Sequence, residues 1–529
     1  MAESPPVKVG RAIWLSGATM VSRVLGLMRD QLFAFLIGAN RFSDAFLVAF
    51  RIPNLLRDLF AEGALSSAFV PTFADYQRNR GPDAAYRLAN TVVALILVVV
   101  GGLTLLGLAF AGPIVRGLAP GFTPAQADLA AFLARIMMPF LLLVSLAAAV
   151  MGMLNAQSRF TAPAIAPALF NVGAIAVGLG IWVAGLPPER AVVGWSIGTL
   201  LGGALQLAVQ LPSLRAVGYR LRLRLGRGDL REPGLARMFR LMGAAVIGLS
   251  ATQVNIIVNT YFATHEVGAT TWLQNAFRLM QLPLGVFGVA IATVAGAGVA
   301  QRAAARDMAA VKQTLGSALR LVAFLNVPSA VGLIVLARPI ISLLFEHGRF
   351  GAADTDATAH ALVFYAIGLY AYSAVKVFAP AFYALDLARV ALWGSVLGMA
   401  SNVALNVTLY PVLGYRGVAL GTSLAAGANV AVLALAWRSR YGGLGGAGTV
   451  RQLGKVLIAS AALALTAWLA EHGLARVLPG GKTLAGQLAL ALVPIAAGGL
   501  AYLAAARALG IAELDELRAA LRRRGARRA

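Results

Sequence analysis

The sequence predicts an all-α polytopic membrane protein with about 14 transmembrane helices: two pseudo-symmetric six-helix lobes followed by two C-terminal helices. Composition, the recurrence of long apolar runs and an internal repeat point to this class. Of 529 residues, 59% are apolar and 12% charged, with a mean hydropathy of +0.77; soluble chains carry about 25% charge. Runs able to cross a hydrocarbon core of about 30 Å recur along the whole chain. No long polar window is left for an attached soluble enzyme.

Apolar runs bounded by charge, Gly and Pro place spans near 11–38, 44–74, 88–111, 127–155, 160–184 and 191–212. A second set falls near 236–263, 269–300, 313–337, 357–385, 390–410 and 417–437, and a last pair near 455–471 and 484–506. With Lys and Arg sorted by alternate loops, about 28 lie on the side of the termini and about 8 on the other, so both termini are expected in the cytoplasm. Met1 to Gly10, with Glu3, Pro5 and Pro6, lacks the order of a cleavable signal, so the first helix is expected to be retained. The expected organisation is an N-lobe over 1–212, a basic cytoplasmic linker over 213–235, a C-lobe over 236–438, the final pair within 439–510 and a basic cytoplasmic tail over 511–529.

Gly17-Ala18 recurs as Gly243-Ala244, and Ala49-Phe50-Arg51 as Ala276-Phe277-Arg278, each about 226 residues further on. Six helices return the chain to its starting side. The repeats are therefore parallel, an arrangement in which transporters hold substrate between the halves.

The net charge of +24 would suggest nucleic acid in a soluble chain; here it is read as topology and headgroup attraction, with no nucleic-acid partner expected. Its largest cluster, Arg215, Arg220, Arg222, Arg224, Arg227, Arg231 and Arg237, reads as a linker held near anionic lipid. The absence of cysteine excludes a disulfide framework and Cys-ligated zinc, and four scattered histidines leave no metal centre expected.

Within the spans, Arg29, Arg57 and Arg278 lie deep, where an Arg costs about 2.5–3.5 kcal/mol on the insertion scale. Arg23 lies on the same helix as Arg29. These groups are expected to line a wet cationic cavity, with interhelical ion pairing to Asp30, Asp44, Asp58 and Glu62 as the competing reading. By helical geometry Arg29 and Arg57 each point about 100° away from the acid that follows. Guanidinium forks suit phosphate or carboxylate oxygens, so the ligand is expected to be anionic. No Walker A sequence occurs, so ATP is not expected to drive the process directly. Gly26, Pro53, Pro283, Gly285 and Gly288 flank the arginines as candidate hinges. A neutral polar group, Asn259, Asn402, Asn406 and Thr422, is a candidate cation site, although interhelical hydrogen bonding is the favoured reading without a carboxylate.

The stretches SRVLGLMRD (22–30), SDAFLVAFRIPNLLRDLFAEGALSSAFVP (43–71), FRLMQLPLGVFGVA (277–290), LFEHGRFGAADT (344–355) and AYSAVKVFAPAFYA (371–384) resemble, in order, the MurJ (MviN) family. These are lipid II flippases of the multidrug/oligosaccharidyl-lipid/polysaccharide exporter superfamily. The resemblance implies two six-helix lobes in a V, a lipid-tail groove along the last two helices, and passage of the undecaprenyl-pyrophosphate glycopeptide to the periplasmic leaflet of the bacterial inner membrane for peptidoglycan synthesis. It implies transport, not catalysis, by a monomer in contact with cell-wall synthesis proteins. The family's cavity arginines fall on Arg23, Arg29, Arg57 and Arg278, with Asp30, Asp44 and Glu62 at motif positions. Members that bind sodium carry acids in the second lobe, whereas Asn259 and Asn406 are uncharged, so membrane potential or another ion gradient is expected instead. The segment VAGAGVAQR (294–302) departs from the family's Leu-Pro-Ser pattern. Alternatives are export of another polyprenyl-linked oligosaccharide or, from a different class, a membrane enzyme on prenyl phosphates using Asp58 with Glu62.

Overall fold

A bilayer offers no water to unpaired backbone groups, so a spanning chain must satisfy them within its own helices. The computed structural model describes residues 9–59, 65–223, 225–444, 446–478 and 483–518, and among these every regular element is helical. In chain order, the first helices are α1 (Val9–Ile37), α2 (Arg41–Leu56), α3 (Ser66–Asn79), α4 (Pro82–Ala109), α5 (Ala111–Leu118) and α6 (Pro124–Ala156). Next come α7 (Thr161–Val183), α8 (Pro188–Ala216) and α9 (Pro233–Ala263). They are followed by α10 (Ala269–Ala304), α11 (Met308–Val335), α12 (Ala337–Phe345), α13 (Ala352–Ile367) and α14 (Leu369–Ala384). The last four are α15 (Ala388–Leu413), α16 (Tyr415–Tyr441), α17 (Gly446–Val477) and α18 (Leu484–Ala508).

Among the described residues ten helices are long and apolar enough to cross a membrane, or eleven if α13 and α14, bent by 41°, form one span. The remaining expected spans correspond to α1, to α2 with α3, and to α9. The first two carry the deep charges. At 29 and 31 residues, α1 and α9 measure about 44 and 46 Å, more than a hydrocarbon core.

Two compact units divide the chain, one holding Met1–Thr270 with His347–Phe350, the other Thr271–Glu346 with Gly351–Ala529. In the first, α1 packs along α7 and α7 along α8, while α2 and α3 lie on α6. By contact α9 belongs to this unit, packing on α3 and α4, although the sequence repeat groups it with the later helices. A polar clasp accounts for this. The Tyr76 hydroxyl donates to Glu232 Oε1 (2.8 Å) and accepts from the Gly234 N–H (2.9 Å), Arg80 pairs with Glu232 (3.1 Å), and Arg237 pairs with Asp75 (3.3 Å).

Tyr76 lies just past the expected end of its span. Burial, reinforced by the bond to Glu232, pushes its hydroxyl pKa above the usual 10. The protonated form is therefore the one the fold favours. The stabilisation is complete below pH 10 and is lost as pH rises through the higher folded value. Tyr76→Phe is expected to lower stability by about 1 kcal/mol and to remove this alkaline dependence, read by thermal unfolding in detergent between pH 8 and 11.

At the opposite end of the first unit, α2 starts with a capping box: Asn40 Oδ1 accepts from Phe42 N (2.8 Å) and Ser43 N (3.3 Å), and Ser43 Oγ accepts from Asn40 N (2.9 Å). Beside it, the Arg349 N–H donates to Phe35 O at 3.0 Å. Two glycines allow this approach. Gly38 (φ +78°) lies under Arg349 O, where a Cβ would come within 2.5 Å, and Gly348 (φ +63°) lies against Phe35 O.

In the second unit α15 pairs with α16, α17 with α18, and α17 lies along α11. The Tyr502 hydroxyl on α18 donates to Phe324 O on α11 (2.6 Å), and Arg320 Nε donates to the buried Glu513 at 3.1 Å. The final pair of helices is thus fastened to the second unit by hydrogen bonds as well as by apolar packing.

Candidate functional site

Arg29 lies on α1 where that helix packs against α7. Its Nε and Nη2 donate to Asp30 Oδ1 (3.2 and 3.0 Å), its Nη1 donates to Asn171 Oδ1 (3.0 Å), and its Cζ stands 5.3 Å from the centre of the Phe170 ring. The Arg29 and Asp30 side chains are 17% and 15% exposed, so the pair is screened from bulk water yet reachable. Arg57 repeats the pattern on the π-helical turn 57–59 after α2, its Nε and Nη2 donating to Asp58 Oδ1 at 3.2 and 2.9 Å. Arg57 is near enough to Arg29 for its charge to be felt there.

The pairing corrects the expectation that each arginine points away from the following acid. The 100° step describes where side chains leave the helix. A guanidinium on its flexible stem folds back across that angle to reach a neighbouring carboxylate. The first unit therefore offers two Arg–Asp pairs with little net charge between them. To bind here, an anion would have to take the remaining guanidinium donors or displace a carboxylate.

Asn171 was not singled out from sequence, although a lone Asn in the apolar run of α7 was the available signal. Its Nδ2 donates to Ser22 O (3.1 Å) and Pro167 O (3.3 Å), which fixes the amide so that Oδ1 faces Arg29. Gly26 leaves room for this amide, its Cβ position lying 3.7 Å from Asn171 Nδ2. Asn171→Leu is expected to free the guanidinium and weaken substrate binding about tenfold or more, at one charge-assisted bond of about 1.5–3 kcal/mol. Membrane insertion should be unchanged. Titration of purified variant and wild type with inorganic pyrophosphate checks the first, and protein recovered from the membrane the second.

Arg23 lies about 9 Å along α1 from Arg29 with its side chain exposed. Asp44 stands about 20 Å along the chain axis from Arg57, 1% exposed, with Oδ2 accepting the Gly268 N–H at 2.6 Å ahead of α10. Glu62 lies outside the described residues. Arg278 is half-buried on α10, ahead of Pro283 and the π-helical turn Leu284–Val289. π-Turns thus follow both Pro53 and Pro283, where the missing N–H loosens the ladder.

Asn259 is half-buried on α9 in the first unit. In the second, Asn406 Nδ2 donates to Asn402 Oδ1 (3.3 Å), Asn402 Nδ2 to Thr422 Oγ1 (3.3 Å), and Thr422 Oγ1 to Val418 O (2.7 Å). This directed chain links α15 to α16. Among the described residues no group of three or more His, Asp or Glu could hold a metal ion.

The family described as "Lipid II flippase MurJ" matches residues 33–480. The chain belongs to the MurJ family. A "Probable lipid II flippase MurJ" of Rhizobium meliloti (strain 1021) is 35% identical over 518 residues, 96% of this chain and 95% of the relative. A "Lipid II flippase MurJ" of Burkholderia cenocepacia is 35% identical over 430 residues, covering 80% of this chain and 83% of its own. Among solved structures, a MurJ in an inward closed conformation superposes with a TM-score of 0.76 at 26% identity, covering 93% of this chain and 98% of that one. An inward-facing MATE transporter of the MOP superfamily shares the fold at a TM-score of 0.66 and 16% identity, over 82% and 98% of the two chains.

Proposed function

We propose that the protein moves lipid II, the undecaprenyl-pyrophosphate glycopeptide, from the cytoplasmic to the periplasmic leaflet of the bacterial inner membrane. Arg29, with Arg23, Arg57 and Arg278, takes the pyrophosphate. The carrying observation is the Arg29 guanidinium, held half-screened by Asn171, Phe170 and Asp30 with Arg57 in electrostatic reach. Such a fork meets phosphate oxygens when the anion outcompetes the carboxylate. Membership of the MurJ family supports the choice of lipid.

In this reading fourteen spans form an N-lobe (1–212), a C-lobe (236–438) and a tail-binding pair within 439–510, with both termini cytoplasmic. The lobes alternate in access about the pyrophosphate while the prenyl tail stays in lipid. Asp30 and Asp58 release or orient the arginines they pair with, and the Asn402–Asn406–Thr422 chain is structural. No covalent bond is made or broken. An inside-negative potential drives net negative charge outward, worth about 2.3 kcal/mol per charge per 100 mV. The protein acts as a monomer, beside cell-wall synthesis proteins that use the delivered lipid.

The test measures the fraction of lipid II open to a lipid II-cleaving enzyme added from the periplasmic side, in cells depleted of their own flippase and supplied with this protein. Restored cleavage is expected. Its absence despite normal insertion would overturn the substrate assignment.

A further inference from the structure

Between α8 and α9, ahead of the short helix Arg227–Leu230, residues 219–223 run as an extended strap in which Arg220 and Arg222 alternate with Leu221 and Leu223. Asn90 on α4 pins its backbone: Oδ1 accepts the Arg222 N–H at 2.9 Å and Nδ2 donates to Arg220 O at 3.3 Å. The Tyr219 hydroxyl donates to the same Oδ1 (2.7 Å), and the Tyr86 hydroxyl donates to Val217 O (2.6 Å). An amide that reads C=O of one residue and N–H of the next but one holds the segment as a sheet neighbour would. Successive side chains then leave on opposite faces.

The two faces differ sharply in chemistry. Leu221 and Leu223 are 58% and 60% exposed, while Arg220 and Arg222 are also exposed. Two large apolar side chains open at alternate positions have no rationale in water. Helix α8 ends at Ala216 and α9 starts at Pro233, both long enough to span, so the strap is tethered close to the bilayer surface. Acyl chains fit the leucine face and anionic phosphates fit the arginine face.

We infer that residues 219–223 form a membrane-docking strap, in which Leu221 and Leu223 enter the cytoplasmic leaflet and Arg220 and Arg222 bind anionic phospholipid headgroups. Asn90 and Tyr219 couple this docked segment to α4.

Because the chain has no cysteine, single cysteines at Leu221, Leu223 and Arg220 can carry nitroxide labels in the full-length protein without background. The labelled protein is placed in vesicles of phosphatidylglycerol with phosphatidylethanolamine, or of phosphatidylcholine alone. In the anionic vesicles, labels at 221 and 223 are expected to be open to oxygen and closed to an aqueous nickel chelate, and the label at 220 the reverse. Arg220→Gln with Arg222→Gln should weaken docking roughly thirtyfold, so that the 221 label becomes open to the nickel chelate. Equal water exposure of all three sites in both vesicles would overturn the inference. So would shielding of the leucine sites from both reagents, which would mean that protein covers them.

Discussion

Arg29→Ala is expected to abolish lipid II exposure at the periplasmic face while the protein inserts at the wild-type level. Truncation removes the bond to Asn171, the contact over Phe170 and the pairing with Asp30, together with the donors that Arg29 itself would offer a pyrophosphate. Charge-assisted hydrogen bonds contribute about 1.5–3 kcal/mol each. Two to phosphate therefore amount to a loss of affinity on the order of a hundredfold to ten-thousandfold. Arg29→Lys keeps the charge but not the fork and should fall in between.

One alternative cause is removed by a companion variant. Arg29→Ala alone deprives a screened carboxylate of its guanidinium, which by itself destabilises. Arg29→Ala with Asp30→Ala relieves that cost. If the double variant inserts and unfolds like the wild type yet still fails to expose lipid II, the loss belongs to binding. Normal exposure by either variant would remove Arg29 from the substrate path. The readout is cleavage by the externally added enzyme, normalised to protein recovered from the membrane.

Much of this site was legible in the sequence because intramembrane charge is costly. Arg29, Arg57 and Arg278 stood out by depth alone, and Pro53 and Pro283 marked helices that do contain π-turns. What the arginines touch was not legible in the same way. Asn171 meets Arg29 only because α7 lies along α1, a contact between segments far apart in sequence. Asp44 has the same history: its acceptor role toward the Gly268 N–H depends on a loop more than half the N-terminal unit away. Periodicity reports the direction in which a side chain leaves its helix. It carries less about the tip of a long one, which is why the Arg29–Asp30 and Arg57–Asp58 pairs ran against the expected geometry. The overall class was easier, since composition and apolar run length follow directly from the solvent that surrounds the helices.

The segment LFEHGRFGAADT was recognisable as a motif, and its structural use leads to the second large expected effect. Within the first unit, Arg349 N–H bonds Phe35 O, and Gly38 and Gly348 let the two backbones meet. Both glycines have positive φ, a region that costs an L-residue about 1–2 kcal/mol. At each, a Cβ would also strike a carbonyl oxygen of the facing segment, so Gly38→Ala and Gly348→Ala should each lose more than the conformational cost alone. Both substitutions act on one contact. The double variant should therefore destabilise by less than the sum of the singles, because the clasp can be lost only once. Thermal unfolding of the three variants in detergent measures this, and strict additivity would show that the segments do not act together. A covalent version tests function directly. Phe35→Cys with Arg349→Cys, in a chain otherwise free of cysteine, should block lipid II exposure when oxidised and restore it on reduction if flipping requires these backbones to part. Full activity of the oxidised form would make the clasp a fixed strut, and the alternating access proposed above would then have to open elsewhere in the molecule.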